Sequence, residues 1–137
     1  HFGAQAVVLS IQAKRDPKES GRWLAMTDNG RECSGLSVTD WLLIADKYGF
    51  GEVLLTSIDQ EGTSGGFDYD LIRRVASVTN VPVLASGGFG RGCDAVHCYQ
   101  AGAQSAVIAQ ALHYDKYEIK SVKQSLSDSQ VPVRFYP

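Results

Sequence analysis

Leu84-Ala85-Ser86-Gly87-Gly88-Phe89-Gly90 reads as the end of a buried strand running into a glycine-rich turn, with a helical pattern beginning at Arg91. Three glycines in four positions let the backbone come close to a ligand with no Cβ in the way. Amide N–H groups can then converge on one point beside a helix N-terminus, the geometry that suits a phosphate. The same cluster also reads as a plain tight turn, and the rest of the chain has to decide between the two.

Working outward, the strand is Val81-Pro82-Val83-Leu84-Ala85, with Pro82 at its start where a missing donor is tolerated. A helix precedes it, opened by Asp68 or Asp70, carrying Leu71, Ile72, Val75 and Val78 and closed by Asn80. Before that helix, Glu52 to Ser57 (EVLLTS) is another short buried strand, ending in a polar, glycine-rich loop from Ile58 to Gly66. On the other side, a helix from about Arg91 to Ala101 stops at Gly102, and Gln104 to Ala109 forms a further strand. A last helix from about Lys116 to Ser127 carries Tyr117, Ile119, Val122 and Leu126, and Val131-Pro132-Val133 closes the chain.

Toward the N-terminus, Gln5 to Ile11 is apolar and β-branched and is expected to be covered on both faces. Alternation puts Val8, Ser10 and Gln12 on one face and Val7, Leu9 and Ile11 on the other, and Lys14 to Pro17 break the strand. Gly21 to Gly35 reads as a small hairpin with arms at Arg22 to Thr27 and Arg31 to Cys33, turned by Asn29-Gly30. Ser37 or Thr39 caps the next helix, whose stripe is Trp41, Leu42, Ile44, Ala45 and Tyr48, and Gly49 and Gly51 end it.

The expected fold class is α/β: four βα units with parallel strands and right-handed crossovers, plus a small β-hairpin after the first strand. The longer polar loops lie at strand C-termini, the end where such sheets bind ligands.

A length of 137 residues suits a single domain, residues 1–137. The hydrophobic fraction of 44% and the charged fraction of 20% are those of a globular chain with a real core. A net charge of -2 offers no basic field, so neither nucleic acid nor an anionic membrane is expected as partner, and a phosphate site has to be built locally from amides. No apolar run approaches the roughly 18 residues of a membrane span. Three cysteines, Cys33, Cys93 and Cys98, in no paired spacing imply a reducing, cytoplasmic compartment. The chain opens on His1 rather than Met, with a strand starting by Gln5 or Ala6, as expected of a tag remnant or a piece of something longer.

Four segments carry a resemblance to a known family. They are Phe2-Gly3-Ala4-Gln5 with Val7 to Arg15; Gly51 to Thr63, which contains LLTSIDQEGT; Pro82 to Gly88; and Ala109-Gln110-Ala111-Leu112-His113. The hairpin and the Gly65-Gly66-Phe67-Asp68 region match too. In this order they resemble the C-terminal half of the cyclase subunit of imidazole glycerol phosphate synthase, the HisF family of histidine biosynthesis. HisF-like proteins of surface-polysaccharide biosynthesis share the motifs. The resemblance implies a (β/α)8 barrel of which this chain supplies the last four units, half of the barrel. Four parallel strands cannot close a small barrel, so self-association into a barrel-like homodimer is expected, with pairing to a separate N-terminal half or truncation of a longer parent as alternatives.

The resemblance also implies site residues. Ser86, Gly87, Gly88, Ala109 and Gln110, with Gly62 nearby, would hold a phosphate, either of a phosphorylated small molecule or as inorganic phosphate or sulfate. The family has a small hydroxyl residue where Gln110 stands. Cyclisation in the family uses two aspartates as general acid and base, one per half. The second falls on Gln12, which cannot exchange a proton at neutral pH. Impaired lyase activity is therefore expected, with a non-catalytic phosphate-binding or assembly module as the alternative. Asp59 and Glu61 remain at the mouth as candidate catalytic carboxylates able to bind substrate hydroxyls or amines; Glu61 matches a substrate-contacting acidic position, and loop capping is the alternative for both. A glutaminase subunit is an expected partner only of a complete barrel, and no metal or cofactor is expected. Cys93 and His97, four apart on a helix, form a possible metal pair but read as ordinary helix surface in the absence of a second pair. His113, Trp23 and Trp41 read as packing residues, and Lys14 and Arg15 as solvated.

Overall fold

The computed structural model describes residues 3–135. His1 and Phe2, the latter part of the first matching segment, lie outside the described residues. A 3-10 turn at Ala4–Ala6 leads into β1 (Val8–Arg15), and β2 (Trp23–Thr27) and β3 (Glu32–Ser37) form the hairpin. There follow α1 (Val38–Asp46), β4 (Glu52–Ser57), α2 (Tyr69–Ala76), β5 (Val83–Ser86), α3 (Gly92–Gln100), β6 (Ser105–Val107), a single turn α4 (Gln110–His113) and α5 (Ile119–Asp128).

All six strands join one sheet in the order β3-β2-β1-β4-β5-β6. β1, β4, β5 and β6 run parallel, and the hairpin adds antiparallel to β1. Four βα units plus a hairpin is the expected α/β architecture, consistent with part of a (β/α)8 barrel. Asp28, Asn29 and Gly30 all take positive φ in the hairpin turn, so the reversal uses one residue more than Asn29-Gly30. Ser37 caps α1, its Oγ accepting from Asp40 N at 3.1 Å, and Asp68 caps α2.

Two expectations about strands change. β1 does not stop at Ile11: pairing of Lys14 with Leu24 and Arg15 with Trp23 carries it to Arg15, because the hairpin offers a ladder that local composition does not reveal. Nor is the parallel sheet covered on both faces. Ile11, Ala13, Val53, Leu55, Val83 and Ala85 are buried beneath the helices with Leu71, Val75 and Val122, whereas Val8 on the opposite face is 49% exposed and Leu54, Thr56 and Leu84 are only half-buried. The helices lie on one side of the sheet, and on the other the hairpin turn at Gly30 comes up against Gln12.

Cys98 sits in the helix-side core at 1% exposure, and burial pushes its thiol up from an ordinary 9.0 to about 12. Cys33 and Cys93 are exposed. A native-state thiol titration near neutral pH should count two cysteines, with the third appearing on unfolding; a native count of three would contradict this placement. The unfolded thiol ionises near 9 while the folded one holds its proton, so this contribution to stability is full below pH 9 and is lost as pH rises toward 12.

Candidate functional site

The C-terminal ends of the parallel strands form the mouth. Register aligns Gln12 with Thr56, Thr56 with Ser86, and Ser86 with Val107 in one row across β1, β4, β5 and β6. These are side chains of the open face. At the usual spacing between strands, Gln12 and Ser86 are about 10 Å apart. Gln12 faces the hairpin turn, its Oε1 3.1 Å from where a Cβ on Gly30 would stand.

The glycine-rich loop after β5 packs backbone to backbone on the loop after β4. Gly87 and Gly88 have φ of 92° and 103°, which glycine adopts without strain. A Cβ on Gly87 would stand 2.7 Å from the Ser57 carbonyl oxygen, and one on Gly88 would run into the Gly66 carbonyl. Gly66 N–H donates to the Gly88 carbonyl at 2.8 Å. The glycines therefore have a structural reason of their own, close loop approach, alongside any ligand.

The loop reaches the N-terminus of α3 already filled. Asp94 Oδ2 accepts from Gly90 N–H at 2.9 Å and Arg91 N–H at 2.7 Å, so no anion is needed at this helix end. The room for an anion lies on the other side, toward β6. There Ser86, Gly87, Gly88, Ala109 and Gln110 line one shallow cavity of about 30 Å³ together with Glu61 and Gly62. Among the described residues, the N–H groups of Gly88, Ala109 and Gln110 donate to no protein acceptor. The cavity has space for about two waters. Glu61 is exposed, with Oε2 3.2 Å from where a Gly87 Cβ would stand, so a carboxylate borders the same amides.

Asp59 is drawn elsewhere: its Oδ2 accepts from Arg15 N–H at 2.7 Å, tying the β4 loop to the end of β1. Arg15 is not simply solvated. Its Nη2 donates to Asp68 Oδ1 at 2.8 Å and its guanidinium lies 5.0 Å from the Trp23 ring centroid. Trp23 Nε1 donates to Asp68 Oδ2 at 2.9 Å, and Leu71 N–H to Asp68 Oδ1 at 3.2 Å. One buried carboxylate thus joins β1, β2 and α2. Its partners lie 45 and 53 residues away, so only its helix-opening role was visible in the sequence.

Trp23 is buried, Trp41 packs against the core and Lys14 is exposed, in line with the sequence reading. His113 is exposed, with its ring edge-on to Tyr114. Cys93 and His97 share the surface of α3, and Asp94 stands with them. Tyr69 donates to Asp94 Oδ1 at 3.3 Å; burial first, then the Asp94 charge, pushes this phenol up to about 12, so it stays protonated.

A family model described as "Histidine biosynthesis protein" matches residues 1–118. The chain is 58% identical over 90 residues to the imidazole glycerol phosphate synthase subunit HisF of Legionella pneumophila, an alignment covering 66% of this chain and 42% of that protein. It is 42% identical over 142 residues to the subunit of the same name from Nostoc, covering 99% of this chain and 53% of the relative. The corresponding Thermotoga protein is 38% identical over 133 residues, 97% of this chain and 51% of its own length. The chain spans about half the length of these curated relatives.

Asp68→Ala removes a helix cap and the acceptor of the Arg15 and Trp23 donors. It should cost about 2–4 kcal/mol in a denaturant titration. Arg15→Ala should cost about 1 kcal/mol or less, because its side chain is 48% exposed and the pair is solvent-screened. Equal costs would show that the buried carboxylate is not the centre of the cluster.

Proposed function

Because the chain belongs to the histidine biosynthesis protein family, we propose that residues 1–137 are a single HisF-like half-barrel domain that holds one phosphate of a phosphorylated small molecule at the loops after β5 and β6. The observation that carries this reading is the cavity shared by Ser86, Gly87, Gly88, Ala109 and Gln110, beside amides with no protein acceptor. An anion there gains neutral amide donors and a hydroxyl without needing a basic side chain. The curated relatives are named as subunits of imidazole glycerol phosphate synthase, so the reading extends to that lyase chemistry in the cytoplasm.

Glu61 sharpens the ligand. A carboxylate next to the cradle repels a bare phosphate dianion and accepts hydrogen bonds from a sugar hydroxyl or an amine. A phosphate ester with such a group beside its phosphate turns that repulsion into a contact, once the exposed Glu61 side chain swings aside to enlarge the cavity. The cradle amides bind and orient the phosphate, and Glu61 then selects the organic part. Asp59 serves mainly to hold the β4 loop to β1.

The chemistry beside the phosphate is weakened. Gln12 stands about 10 Å from Ser86 along the sheet row, a span suited to an extended substrate, but its amide cannot take or give a proton. A general acid or base contributes about 10²–10⁴ in rate. Gln12 favours a second reading as well, a binding or assembly module that does no chemistry itself. In either case the open sheet face is covered by a second copy of the chain or by the other half of a barrel, and a glutaminase partner enters only with a complete barrel.

In a calorimetric titration, Ser86→Ala should weaken binding of a phosphate ester by about 5–10-fold, the value of one hydrogen bond. Glu61→Gln should tighten inorganic phosphate and weaken the hydroxyl-bearing ester. Unchanged affinities in both variants would remove the cradle from this function. Solution mass gives a separate check: a dimer is expected, and a well-folded monomer would end the paired half-barrel reading. Gln12→Asp in a complete barrel should restore cyclase turnover by about 10²-fold or more; phosphate binding without any gain would leave the binding module as the function.

A further inference from the structure

The first turns of α3 carry a donor set, two exposed side chains and one buried carboxylate, that the phosphate site does not use. Cys93 and His97 are one helical turn apart, so their side chains lie on the same face, and Asp94 follows Cys93 directly. A thiol sulfur, an imidazole nitrogen and a carboxylate oxygen from these three residues all lie within 4.8 Å of one another. We propose that Cys93, Asp94 and His97 form a binding site for a borderline divalent cation of the Zn²⁺ type, with its fourth position open to water.

Three features favour a cation there over a chance meeting of side chains. Asp94 is 3% exposed, and its Oδ2 is locked by Gly90 and Arg91 N–H groups, so the carboxylate is held in place. Its Oδ1 has only long contacts, the Tyr69 hydroxyl at 3.3 Å and Cys93 Sγ at 4.0 Å. A hydroxyl donating to a carboxylate is normally at about 2.5–2.7 Å, so both of these hydrogen bonds are long and weak. The Tyr69 ring also meets the His97 imidazole edge-on, 5.7 Å between centroids at 89°, which restrains the imidazole. Ligands around one tetrahedral Zn²⁺ stand about 3.3–3.8 Å apart, so closure from the observed spacing needs only side-chain rotation by the two exposed residues.

The ligand types set the selectivity. One sulfur and one nitrogen with a single carboxylate suit Zn²⁺ and Co²⁺ and disfavour Mg²⁺ and Ca²⁺, which take oxygen shells. The cation adds a structural tie at Asp94, the residue that already pins the end of the glycine-rich loop. Three protein ligands with an open position fit an exchangeable site on the helix surface.

Co²⁺ is the probe, added to the reduced protein under anaerobic conditions and then displaced by Zn²⁺. One equivalent should produce a thiolate-to-cobalt charge-transfer band, with Zn²⁺ abolishing it and Mg²⁺ leaving it unchanged. Cys93→Ser should remove the band, and Cys33→Ser should keep it. His97→Ala should weaken Co²⁺ by more than about tenfold, since losing even a hydrogen-bonding partner of a ligand costs about 10–100-fold. All three altered side chains are exposed, and circular dichroism checks that each variant is folded. Absence of the band in the wild-type chain, its persistence in Cys93→Ser, or unchanged affinity in His97→Ala would overturn the site.

Discussion

Parallel strands ordinarily bury both faces, because their crossover connections lay helices or barrel neighbours against each side. Here β1, β4, β5 and β6 bury only the face that carries Ile11, Ala13, Val53, Leu55, Val83 and Ala85. The other face presents Val8, Leu54, Leu84 and Val107 interleaved with Ser10, Gln12, Thr56 and Ser86. These positions form rows across the sheet, as side chains do inside a barrel. In a closed (β/α)8 barrel the corresponding face lies inside, against the other strands.

Two buried carboxylates keep the mouth in shape. Asp68 receives hydrogen bonds from α2, from β1 through Arg15 and from β2 through Trp23. Asp94 receives them from the two residues that lead into α3. Each is at a helix start, where the dipole favours negative charge. Between them lie the backbone contact of Gly66 with Gly88 and the close approach of Gly87 to Ser57, which leave no space for side chains. The loops are therefore positioned by pairing rather than by ligand.

In the proposed function, binding and turnover separate along the row of the sheet. Ser86 and the amides after β6 line one cavity, the Glu61 carboxylate borders it, and Gln12 stands two strands away with no group that titrates near neutral pH. A phosphate cradle tolerates changes elsewhere because it rests on backbone groups. Proton transfer does not, because it depends on one side chain of the right type at one place.

The sequence by itself determined the alternation of strands and helices, the hairpin and the family, and narrowed the helix caps to Ser37 or Thr39 and Asp68 or Asp70, because all of these rest on local periodicity, local turn chemistry or contiguous motifs. The resemblance also pointed to Ser86, Gly87, Gly88, Ala109 and Gln110, which the structure gathers around one cavity. It did not show that β1 continues to Arg15, since the ladder that extends it is made with β2. The partners of Asp68 and the capping of α3 by Asp94 were decided by tertiary structure alone. The physical reason is that hydrogen bonds and burial between segments tens of residues apart depend on how loops meet in space, and neither composition nor period records that meeting.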